Sequence, residues 1–246
     1  MVSLKIYKSD PFDRNFFKKE FETYINELER STQLKEEYVF KSSIDKFKCI
    51  HDDFVTFEFQ HDLRHEIIIR GRTIEYPRFH HAEFWIFFTP KANYFFVNGN
   101  ESSVEFLVGK LFLMIKDANL KTANFEENFK DIRYERLSLE NDTFLEILQA
   151  DALKINASWW NKVDLDLKSA FLSGNLKDKD GEHEVFRLIK EKGGNISTAY
   201  YLSNKIGYRL NMSRKDVSIT ASKKEVEAGS LLNYFKEIIY PLLKTA

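Results

Sequence analysis

The sequence predicts an α+β fold, an antiparallel sheet packed with helices, on three observations. In Val55-Thr56-Phe57-Glu58-Phe59 apolar and polar residues alternate with the period of a half-buried strand. Ser102-Ser103-Val104-Glu105 has the spacing of a capping box, and Val104, Leu107, Val108, Leu111, Met114 and Ile115 continue it at helical intervals to about Asp117. Only 9 glycines and 4 prolines occur in 246 residues, which disfavours propellers, collagen-like chains and glycine-rich phosphate loops.

From the N-terminus, Asp10-Pro11 supplies an N-cap residue and a proline at the first helical position. Phe17, Phe21, Tyr24, Ile25 and Leu28 then predict an amphipathic helix over 11–31. Ile67-Ile68-Ile69 and Phe84-Trp85-Ile86-Phe87-Phe88 are apolar on both faces, as central strands are. Tyr94 to Val97 pairs back across a turn at Pro90 to Asn93. Beyond the capped helix, Phe144, Leu145, Ile147 and Leu148 mark a further helix. Trp159-Trp160 and Val163 to Leu172 suggest a strand running into a helix, and Lys177 to Gly181 a loop. Glu182 to Lys192 predicts a short helix stopped by Gly193-Gly194. Gly207 to Asn211 and Val217 to Ala221 form a hairpin, followed by a second capping box at Ser222-Lys223-Lys224-Glu225 and a helix that buries Val226, Leu231, Tyr234, Phe235, Ile238 and Ile239.

Strand, turn, strand, capping box and helix thus occur twice, near 84–117 and 206–242. This order resembles that of saddle-shaped TATA-box-binding-protein-like folds, which implies two sheet-plus-helix halves beside each other. The likeness covers element order only, and fold does not carry function. The expected organisation is an N-terminal helix, sheet and capped helix at 1–118, a mixed connecting region at 119–181, and a C-terminal α+β unit at 182–246.

Hydrophobic residues at 43% and charged residues at 30% exclude a disordered chain. Cys49 is the single cysteine, so no internal disulfide and no cysteine-based zinc site is expected. Charged residues through positions 1–20 leave no signal-peptide stretch, and Phe106 to Ile115 is too short to cross a bilayer. A cytoplasmic protein without membrane contact is expected, and the five Asn-x-Ser/Thr sequons carry no meaning there.

His51, His61, His65, His80 and His81 invite a metal site, with His51, His80 and Glu83 gathered from separate strands as its best form. On a strand, His61 and His65 stand about 13 Å apart, too far to share an ion. Asp52 or Asp53 with Glu58-Phe59-Gln60 faintly resembles the Asp…Glu-x-Lys pattern of restriction-type nucleases. Gln60 stands where that pattern has its lysine. Nucleotide-binding, hydrolase and zinc-protease signatures are missing. No catalytic residue, metal or cofactor is therefore assigned.

Charge is nearly balanced overall, 37 Lys and Arg against 38 Asp and Glu, but it is unevenly placed. Residues 135–166 hold seven acids and three bases, whereas residues 187–224 hold nine bases and two acids. Strand alternation in the C-terminal hairpin puts Tyr208, Leu210, Met212, Val217, Ile219 and Ala221 inward. Arg209, Asn211, Ser213, Ser218, Thr220 and Ser222 then face outward. The expected function is non-catalytic nucleic-acid binding, with Lys205, Arg209, Arg214 and Lys215 on phosphates and Tyr200 or Tyr201 stacked on a base. Arg64, Arg70, Arg72 and Arg78 form a smaller basic group, diluted by Asp62, Glu66 and Glu75. The alternatives are a protein–protein adaptor in a multi-subunit assembly, anchored at Trp159 or the last helix, and a metal-dependent nuclease or hydrolase.

Overall fold

The computed structural model of the chain describes residues 3–12, 42–51, 53–121, 132–161, 169–174, 191, 193–221 and 228–245. The helix expected at 11–31, the loop at 177–181, the helix at 182–192 and the capping box at 222–225 lie almost wholly outside these residues. The fold is α+β with antiparallel strand pairing, as the alternation predicts. No helix among the described residues is long and apolar enough to cross a membrane. The chain divides into two compact units, Tyr7–Glu135 and Met1–Ile6 with Arg136–Ala246. Much of the expected connecting region therefore belongs to the second unit.

The boundary falls within β1 (Ser3–Ser9), which supplies residues to both units. In the first unit, β2 (Ser42–His51), β3 (Phe54–Ile69), β4 (Arg72–Phe88) and β5 (Asn93–Gly99) form a meander in the order β2-β3-β4-β5-β1. Helix α1 (Glu101–Lys121) follows. Its Val104, Leu107, Val108, Leu111, Met114 and Ile115 are buried against Phe57, Phe59, Phe84, Ile86, Phe95 and Val97. Each such side chain withdrawn from water is worth about 1.5–3 kcal/mol before entropy is counted. The helix runs from Glu101, with Asn100 in the capping position rather than the expected Ser102. The Asn100 carboxamide oxygen accepts from Ser102 N–H at 3.2 Å, and the Asn100 carbonyl from Val104 N–H at 2.8 Å. The Ser103 hydroxyl shares a hydrogen bond with His80 Nδ1.

The other sheet face is also apolar, with Phe54 stacked on Phe87 at 4.7 Å and Phe96 fully buried. That bears out the two-faced reading of 84–88, but not of Ile67-Ile68-Ile69. β3 and β4 outrun their neighbours, so the three isoleucines stand near the tip of a two-stranded arm, with Ile68 76% exposed. Arg70 (φ 50°) and Gly71 (φ 75°) turn the arm in two residues, both left-handed as a tight hairpin requires.

The boundary also falls within β6 (Tyr134–Arg136), which leads to α2 (Asn141–Asp151) of the second unit, where Phe144, Leu145, Ile147 and Leu148 are buried. Strands β7 (Ala152–Asn161), β8 (Ser169–Gly174), β9 (Asn195–Ser203), β10 (Arg209–Ser213) and β11 (Ser218–Ala221) follow, in the order β1-β11-β10-β9-β7-β8. The closing helical run is α3 (Ala228–Tyr234), a π-helical turn (Phe235–Ile239) and α4 (Tyr240–Thr245). It buries Leu231, Tyr234, Phe235 and Ile239. The hairpin alternates as expected, with Leu210, Met212, Val217, Ile219 and Ala221 buried and Arg209 and Asn211 exposed. Strand–turn–strand–helix order recurs in both units.

Candidate nucleic-acid interface

Cross-strand register assembles the outward face of the second unit's sheet. One row runs Ser3–Thr220–Asn211–Tyr200 across β1, β11, β10 and β9. The next runs Lys5–Ser218–Ser213–Thr198. Arg209 opposite Leu202 ends the face on one side. Ser3 Oγ and Thr220 Oγ1 share a hydrogen bond at 2.8 Å. None of these positions is a carboxylate, so the face offers hydroxyls, an amide, a partly exposed tyrosine ring and cations. The inner side is fixed by the buried residues of β9, β10 and β11; on the other side Asn211 is exposed, Ser3, Thr198, Tyr200, Ser213, Ser218 and Thr220 are half-buried, and Lys5 is buried.

The six residues singled out from the sequence fall into three environments. Tyr201 is fully buried, and its hydroxyl pairs with that of Tyr234 at 2.7 Å. Burial pushes both phenols well above the usual tyrosine pKa, so each stays a neutral hydrogen-bonding group. That ring cannot reach a base, which leaves Tyr200 as the stacking partner. Tyr201→Phe keeps the packing but removes the Tyr201–Tyr234 hydrogen bond, leaving the Tyr234 hydroxyl with Asp151 alone. It should cost about 1–2 kcal/mol in a urea unfolding titration, and an unchanged midpoint would contradict this assignment.

Two of the expected phosphate contacts are engaged within the protein. Lys205 Nζ is ion-paired with Glu237, and its backbone N–H donates to Asp151 Oδ1 at 2.8 Å. Arg214 Nε donates to the Ile196 carbonyl at 2.7 Å and its Nη1 to the Leu139 carbonyl at 3.1 Å. Its guanidinium therefore ties three chain segments together. Arg209 and Lys215 remain exposed, and no ion pair to either occurs among the described residues. Arg209 opens β10 and Lys215 lies in the turn beyond its end, with about 13 Å of strand from Arg209 to Ser213. Sequence reading missed the contribution of Ser3, because register with Thr220 cannot be foreseen across 217 positions.

In the first unit, His61 and His80 face each other across β3 and β4 and lie against Phe106. His80 Nδ1 shares a hydrogen bond with Ser103 Oγ at 2.9 Å. Burial pushes the His61 pKa down to about 4 and lowers that of His80, so both rings are neutral near pH 7. The grouping of His51, His80 and Glu83 does not form. His80 and Glu83 occupy opposite pleats of β4, and Glu83 accepts from Asn98 Nδ2 at 2.9 Å. Among the described residues no group of three His, Cys, Asp or Glu side chains is placed to hold an ion. Glu58 is ion-paired with Lys46 at 2.6 Å, which holds its carboxyl below the usual range, and it also approaches His81 Nε2 at 3.5 Å. A cleft of about 700 Å³ is lined by Lys8, Lys91, Arg133 and Tyr134, with Asp10 and Glu135 offsetting its cations. The Asp10 carboxylate there accepts the Arg133 amide at 2.9 Å.

Comparison with family models, curated proteins and solved structures yields no match. The class that fold and surface together define is an α+β protein with a carboxylate-free, largely half-buried sheet face.

Proposed function

We propose that the chain is a non-catalytic nucleic-acid-binding protein whose contact surface is the outward face of β1, β11, β10 and β9. The observation that carries this reading is the absence of any carboxylate from two cross-strand rows over β1, β11, β10 and β9, with Tyr200 on the face, Arg209 at one end and Lys215 in the turn beyond the other. Phosphate binding is mainly electrostatic, and a carboxylate on the face would oppose it. A flat sheet bearing an aromatic ring accepts an unpaired base by stacking, and hydroxyls and Asn211 supply neutral hydrogen bonds to sugar and phosphate. Single-stranded nucleic acid is the ligand class this surface suits. Lys205 and Arg214 belong to the scaffold behind it.

The test is fluorescence anisotropy with a short labelled oligothymidylate over a salt series. Arg209→Glu with Lys215→Glu should weaken binding about tenfold or more and reduce the salt slope by about 1.4, the share of two phosphate contacts on a single strand. Tyr200→Ala should cost about 1–3 kcal/mol with the slope unchanged. Unaltered affinity and slope in the double reversal would remove this function.

A further inference from the structure

The β3–β4 hairpin continues well past the strands that flank it. β2 pairs no further than His61, and β5 no further than Ala82. From Asp62 to Ile69 and from Arg72 to His81 the two strands pair only with each other among the described residues. The resulting arm is about 26 Å long at the rise of an antiparallel strand. Six of its large apolar residues are exposed: Ile67, Ile68, Ile69, Ile74, Tyr76 and Phe79.

Register divides these residues between two faces. Ile67 opposes Ile74, His65 opposes Tyr76 with their rings 5.8 Å apart, Ile69 opposes Arg72, and Leu63 opposes Arg78. All of these share the pleat that, nearer the sheet, carries Phe57, Phe59 and Phe84 beneath α1. The arm therefore extends the core face of the sheet beyond its cover. Asp62, Glu66 and Glu75, the arm's carboxylates, all occupy the alternate register. The first face is consequently an apolar stripe with two exposed arginines and no acid.

We propose that this face docks an acidic, apolar-anchored segment of a partner protein. Charge complementarity selects the occupant. A second copy laid face to face would bring Arg72 and Arg78 against the same residues with no carboxylate between them, and like-charge contacts are costly. A nucleic-acid backbone would satisfy the arginines but leave the isoleucines nothing apolar to bury against. A peptide with aliphatic or aromatic side chains at alternate positions and carboxylates between them answers both requirements. Among the described residues no further strand pairs with the arm's edges, which also offer main-chain hydrogen bonds to an extended segment.

The test uses two synthetic peptides with identical alternating Ile and Tyr positions, one carrying Glu and the other Lys at the positions between. The wild-type protein should bind the Glu peptide about tenfold more tightly than the Lys peptide. Arg72→Glu with Arg78→Glu should reverse that preference, and Ile67→Ser with Ile74→Ser should abolish binding of both. Oligothymidylate binding should stay unchanged in all arm variants, which separates this proposal from the function above. A reversal of preference is also its own control for folding. Equal or absent binding of the two peptides would overturn the proposal. So would a wild-type dimer in sedimentation that Ile67→Ser with Ile74→Ser dissociates, or displacement of the Glu peptide by anionic lipid vesicles or duplex DNA.

Discussion

Arg214→Ala is expected to destabilise the second unit by about 3 kcal/mol or more, the largest effect anticipated for any surface-strand cation here. Two charge-assisted hydrogen bonds would be lost, to the Ile196 and Leu139 carbonyls. Both carbonyls would then be left without that donor in a partly buried setting. The backbone around Arg214 depends on the same junction. Its N–H donates to Ser197 O at 2.9 Å, and its carbonyl accepts from Leu139 N–H at 3.1 Å. Arg214→Lys is the informative companion, because it keeps the charge but cannot reproduce two donors in a fixed fork. Chemical unfolding should show most of the loss in the lysine variant, while its salt slope for oligothymidylate stays that of the wild type. A lysine variant of unchanged stability would mean that the charge alone matters, and would return Arg214 to the binding surface.

Acidification should destabilise the first unit between pH 6.5 and about 4, by up to about 3 kcal/mol from His61 alone. Above pH 6.5 the ring is neutral whether the chain is folded or not, so it contributes no pH dependence. Below that value the unfolded chain takes up a proton that the buried ring refuses, and stability falls as pH falls. The decline is complete once the folded state also protonates, near pH 4. His80, held down chiefly by burial and then by Arg78, acts in the same direction. His61→Phe preserves a ring against Phe106 and removes the titrating group. Urea midpoints at about pH 7 and about pH 4.5 should lie closer together in that variant than in the wild type. An equal spread would place the acid sensitivity elsewhere.

Much of the fold was legible because local periodicity reports local faces. The inward set of the C-terminal hairpin and the buried set of α1 follow directly from periods of 2 and 3.6 residues. The misreadings share a physical cause. Ile67-Ile68-Ile69 has the composition of a central strand, yet centrality depends on the lengths of β2 and β5, which the segment does not encode. The start of α1 differs from the expected one because Asn100 and Ser102, two positions apart, are both capable caps. For the interface, the charge count was correct but blind to distant acceptors. Arg214 finds Leu139 at a separation of 75 positions, and Lys205 finds Glu237 across 32. Tyr200 and Tyr201 were inseparable because β9 breaks strict alternation at Ser197 and Thr198, both partly exposed.

β1 has a consequence for how the protein is made. Leu4 and Ile6 are completely buried, and Leu4 pairs with Ile219. This strand thus waits for a partner more than 200 positions further along the chain. At about 5–20 residues per second, that interval is on the order of ten seconds or longer. The second unit is accordingly a slow assembly in which a sticky, earlier-made segment must be sheltered until its mate arrives.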